Sequence, residues 1–180
     1  MEKIVINNET YYINNGRVYD SSFLEAPKDI TRAIWESWFA GVDFSSMEES
    51  QLLEHIKKLK GAEYYTECLR VIEHGLQRFN KSAHYYRTVF PMITSCYRSL
   101  NQPQKAIDFW MENKQLFSSC LSPALLTSLA AAYCDVGNYE MARKCANKAY
   151  AIQGGSLNYS NELSLVYKRI KKESDDGTLL

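Results

Sequence analysis

The chain is 180 residues long, enough for one domain with a buried core and a small appendage but too short for two large ones. It is 46% hydrophobic and 23% charged, which excludes an extended disordered chain. Its 21 basic side chains balance 21 acidic ones, so no net charge draws it toward nucleic acid or an anionic membrane.

No apolar run approaches the roughly 18 to 20 residues that span a bilayer. The first residues carry no basic region followed by an apolar stretch and a cleavage site. The expectation is a cytoplasmic protein without a membrane partner. Five cysteines, Cys68, Cys96, Cys120, Cys134 and Cys145, stand at irregular spacings with no Cys-x-x-Cys. Each falls inside an apolar helical pattern, as a small buried side chain would.

In chain order, Lys3 to Ile6, Thr10 to Ile13 and Arg17 to Tyr19 are β-branched and aromatic runs separated by turn residues, Asn15-Gly16 being the strongest turn signal. They predict a three-stranded meander over 1–26 that must lay one face on the next helix. That linking helix is predicted within 27–44, with Pro27 as its first residue, Ile30, Ile34, Trp35, Trp38 and Phe39 on one face, and Gly41 at its end. Met47 to Lys60 follows as a helix, with a capping box of Ser46 and Glu49. Further breaks near Gly61, Asn80, Asn101 to Pro103, Ser118 to Pro123, Gly137-Asn138 and Gly154-Gly155 leave about one helix per segment.

These segments repeat. Tyr97 to Ala106 aligns with Tyr133 to Ala142 at a constant offset of 36, and Leu59 and Cys68 take the same places as Tyr97 and Ala106 at an offset of 38. Residues 45–156 therefore divide into units near 49–82, 87–120 and 123–156, a helix-turn-helix period that signals an α-solenoid. The last unit, with Leu126, Leu129, Ala130, Tyr133, Gly137, Tyr139, Ala142, Ala146 and Ala149, resembles the tetratricopeptide repeat (TPR) in its alternation of large and small residues. The middle unit departs from it at Pro103 and Asn113, and Pro91 within its first helix predicts a kink. Tyr159, Leu163, Val166, Tyr167 and Ile170 line a capping helix over 157–172, and 173–180 is expected to be a disordered tail. The expected fold is thus mostly α: three TPR-like hairpins in a solenoid, a C-terminal cap and a small N-terminal meander.

Chemistry leaves little trace. His55, His74 and His84 stand in no metal-ligand spacing, and no nucleophile elbow, phosphate loop or dinucleotide fingerprint occurs. The reading is a non-enzyme without metal or cofactor. Paired aromatics such as Tyr64-Tyr65 and Tyr85-Tyr86 are read as packing between helices, and the basic stretch from Lys57 to Arg87 as a solvated face.

The TPR resemblance implies a concave groove lined by the first helix of each unit and holding a protein or peptide. Carried over by position, that groove would use Leu53, Lys57 and Lys60, then Pro91, Met92, Ser95 and Arg98, then Thr127, Ser128, Ala131 and Cys134. Chaperone-binding members clamp a terminal carboxylate there, but Leu53, Met92, Ala124 and Ser128 occupy the clamp positions, which argues against that use. The function expected is a scaffold-like protein–protein interaction module. Two alternatives stay open: a homo-oligomeric assembly or secretion-chaperone-like subunit pairing through the N-terminal segment, and an RNA-binding regulator, against which zero net charge counts.

Overall fold

The computed structural model describes residues 1–6, 8–14, 16–118, 121–155 and 161–176. Among them are three strands and nine helices, dividing into two units, Met1–Asn80 and Lys81–Leu180.

In the first unit, β1 (Glu2–Ile6), β2 (Glu9–Asn14) and β3 (Arg17–Tyr19) form an antiparallel sheet in that order. The register pairs Ile4 with Tyr11 and Ile13 with Val18. Side chains alternate across the pleat, so Ile4, Ile6, Tyr11, Ile13 and Val18 share one core with Ile34, Trp35 and Ile30 of α1 (Lys28–Ala40). The meander thus lies on the helix that follows it, as its small size demands. Gly16 sits in the β2–β3 turn at φ +80°, and a Cβ there would meet the Gly61 backbone at 2.4 Å. Only glycine satisfies both constraints. Pro27 proves to be the residue before the helix, with extended ψ, and not its first turn.

Next come α2 (Glu49–Gly61) and α3 (Tyr65–Arg78), which pack on each other. The start of α2 corrects the predicted cap: the Glu48 N–H donates to Gln51 Oε1 at 3.0 Å, so the reciprocal pair lies two residues after Ser46 and Glu49. Chain flanking the helix decides which polar residue reaches back, and Gln51 is the one at the third position.

The second unit holds α4 (Ala83–Ser99), α5 (Pro103–Glu112), α6 (Lys114–Ser118), α7 (Pro123–Asp135), α8 (Tyr139–Ile152) and α9 (Asn161–Asp176). Residues Leu125 to Cys134 of α7 are buried without exception, and α4, α5, α8 and α9 all pack on this helix. Its all-round apolar composition fits only such a central position. Ala142, Ala146 and Ala149 of α8 are fully buried in the same core, their small side chains letting the backbones approach.

Helix α4 begins at Ala83, just after the break expected near Asn80, where the Ser82 hydroxyl accepts the Tyr85 N–H at 3.1 Å. Three differences from expectation have local causes. Helix α4 continues through Pro91 for 17 residues, leaving the Arg87 carbonyl without an amide from residue 91. Asn113 ends α5 by donating its side-chain amide to the Phe109 carbonyl at 2.8 Å, so the second helix of the middle segment is split into α5 and the short α6. Helix α9 runs on to Asp176, over residues expected to belong to a disordered tail, since extending a formed helix costs little. Residues 177–180 and 157–160 lie outside the described residues.

Three connections, Ala62–Tyr64, Leu100–Gln102 and Val136–Asn138, share one hydrogen-bond pattern. The last residue of each donates its N–H to a carbonyl five residues back: Tyr64 to Leu59, Gln102 to Tyr97 and Asn138 to Tyr133, at 2.8–2.9 Å. The middle residue is left-handed in each case, Glu63 at φ 66°, Asn101 at 57° and Gly137 at 75°. This is the Schellman termination, and its third residue doubles as the N-cap of the following helix. The acceptors Leu59, Tyr97 and Tyr133 are the residues that the sequence repeat aligns.

Candidate functional site

In the second unit, the ends of α4 and α7, the 100–102 turn and one face of α9 enclose a cleft of about 460 Å³. Ser95, Arg98, Ser99, Asn101, Pro103, Asp135 and Arg169 line it. Its centre is a charge cluster. Arg98 Nε donates to Asp135 Oδ2 at 2.5 Å, and Arg169 Nη2 approaches Asp135 Oδ1 at 2.8 Å. Glu162 Oε1 lies 3.6 Å from Arg98 Nη1. The Arg98 and Asp135 side chains are about one-quarter exposed, Arg169 and Glu162 more so. Asp135 uses both oxygens on two guanidinium groups, while each guanidinium keeps N–H donors for another acceptor. An entering carboxylate or phosphate would find donors already oriented by Asp135.

Local structure places these groups. Arg98 stands in the last turn of α4, where the helix dipole favours a cation. Asn101 holds the left-handed turn position, and Pro103 opens α5, where a missing N–H costs nothing. Thus Pro103, a departure from the TPR pattern, is a helix start.

Of the eleven groove residues expected from the sequence, the cleft brings together Ser95 and Arg98, while Pro91 is half-buried and Cys134 buried. Met92 on the same helix is half-buried. Thr127, Ser128 and Ala131 are 2%, 5% and 2% exposed and form part of the packing of α7. In the first unit Leu53 is buried and Lys60 half-buried, whereas Lys57 is exposed and borders a separate cleft with Glu2, Asn14, Glu54 and Lys58. Asp135, Arg169 and Glu162 were not among the expected residues. Asp135 takes the same repeat position as Ser99, 36 residues earlier, which was not among the expected residues either, so the offset carried no signal for it. Arg169 lay hidden in the polar face of the cap.

The remaining reactive groups are muted. Cys68, Cys96 and Cys134 are buried, and burial pushes the half-buried Cys145 thiol up to about 11, Lys148 only partly opposing it. Cys120 lies outside the described residues. Among the described residues no group of three or more His, Cys, Asp or Glu side chains is placed to hold a metal ion, and no helix is long and apolar enough to cross a membrane. No protein-family model matches the chain, and no curated protein matches it.

Proposed function

We propose that this protein is a non-catalytic interaction module, its helical pairs being TPR-like hairpins of a solenoid, and that it holds an acidic segment of a protein partner in the Arg98–Arg169 cleft. One observation carries the reading: two guanidinium groups converge on a single aspartate in a concave polar site with hydroxyl and amide groups on its rim. Arginine forks recognise carboxylates in this way. The repeat reading is supported by the matched turns at Glu63, Asn101 and Gly137, spaced as the sequence offsets are.

The test is capture from native lysate by the full chain and by an Arg98→Glu/Arg169→Glu variant whose helicity by circular dichroism matches the parent. A specific partner held by the parent and lost by the variant is the expected result. Equal capture by both would refute the assignment.

A second reading has one observation in its favour. Strand β1 lies at the sheet edge with Val5 58% exposed, whereas β3 is partly covered by a bridge from Tyr19 to Glu25. An open edge invites self-pairing through the N-terminal segment. Light scattering separates the two: a monomer at micromolar concentration removes the homo-oligomer reading.

A further inference from the structure

In the first unit a second cleft, of about 370 Å³, opens between α1, α2 and the chain joining them. Its walls are Trp38, Val42 and Met47, its floor includes His55, and Glu54 stands at its mouth. The chemistry is unlike that of the arginine cleft: apolar walls, one buried imidazole and one exposed carboxylate.

His55 is 5% exposed, stacked on Trp38 at 5.4 Å and met edge-on by Phe39 at 5.7 Å. Its Nδ1 has no hydrogen-bond partner among the described residues. Leaving a buried polar atom unpaired costs on the order of 1–3 kcal/mol, so the imidazole gains from any partner it can reach. Three other polar groups nearby are already engaged. Trp38 Nε1 donates to Glu2 at 3.1 Å, Lys58 pairs with the same Glu2 and sits 4.6 Å from the Trp38 ring centre, and Gln51 caps α2. Glu54 is the rim carboxylate with no ion pair among the described residues.

We propose that this cleft binds an aromatic side chain of a peptide segment, flanked by a basic residue that pairs with Glu54. The ring fills the space between Trp38, Val42 and Met47, its polar edge supplies a partner for the His55 imidazole, and the neighbouring cation meets the free carboxylate. The volume lies within the range of preformed ligand sites, and buried aromatic anchors supply most of the energy in such contacts. This site stands independently of the arginine cleft, since the acidity that the arginines select supplies no cation for Glu54.

The probe is the peptide acetyl-Arg-Trp-Gly-amide, titrated into the ¹⁵N-labelled full chain and read by amide shifts, with acetyl-Arg-Ala-Gly-amide as control. Saturable shifts at Val42, Gln51 and His55 with the tryptophan peptide alone are expected. Glu54→Lys, an exposed change, should weaken binding about two- to fivefold, the range of one exposed ion pair. Equal response to the alanine peptide, shifts confined to other residues, affinity unchanged by Glu54→Lys, or concentration-dependent shifts of these residues without peptide would each overturn the proposal.

Discussion

Three residues at equivalent turn positions carry different side chains on the same backbone. Glu63, Asn101 and Gly137 all have positive φ, but only glycine, which has no Cβ, adopts it without crowding. Glu63→Gly is therefore expected to raise stability by about 1 kcal/mol, and Gly137→Ala to lower it by a similar amount, both read as shifts in urea midpoint. At Gly137 a Cβ would meet nothing within 4 Å, so that variant isolates the backbone cost from packing. His55 is a second residue with a readable consequence. Burial, and then the charge of Lys58, lowers its pKa below the usual 6.5. Stability is then fully present above pH 6.5, and falls as pH drops from there through the folded-state value, because the unfolded chain takes up the proton first. Melting temperatures at pH 7.5 and pH 5 should differ more for the parent than for His55→Phe, which keeps an aromatic ring in the stack. An equal drop in both would remove His55 as a source of acid sensitivity.

At the scale of elements, caps and turns explain where helices begin and end. Serine or asparagine side chains at Ser82, Ser122 and Asn138 each accept an N–H three residues on, and starts marked this way need no tertiary contact. Packing explains the rest. The face of α8 that carries Ala142, Ala146 and Ala149 has no room, so Ala146→Leu should cost about 1–3 kcal/mol through overpacking. Lys144→Leu on the exposed face of the same helix should leave stability within about 0.5 kcal/mol. Denaturation of the pair checks whether α8 is held by close approach or by helix propensity alone. The sequence pattern had already separated these two faces, whereas the split of α5 from α6 at Asn113 was illegible: it rests on one side-chain bond competing with the backbone ladder.

Across the whole molecule, charge is balanced, so electrostatic recognition has to be local. Capture that depends on Arg98 and Arg169 should weaken as salt rises from 50 to 500 mM, whereas partner binding through apolar contact should not. The strands, the helices and the positions of the three turns could be read in the sequence because each is set within a few residues, by φ preference, capping or the period of apolar positions. The chain by itself also placed Ser95 and Arg98 on one face of a helix. It did not reveal that Leu53, Thr127, Ser128 and Ala131 are enclosed, nor that Asp135 binds both Arg98 and Arg169. Those facts depend on which helices meet, and residues 37 and 71 positions from Arg98 come together only when α4, α7 and α9 pack. Local free energies along the chain contain no such term; it arises from burial shared between distant segments.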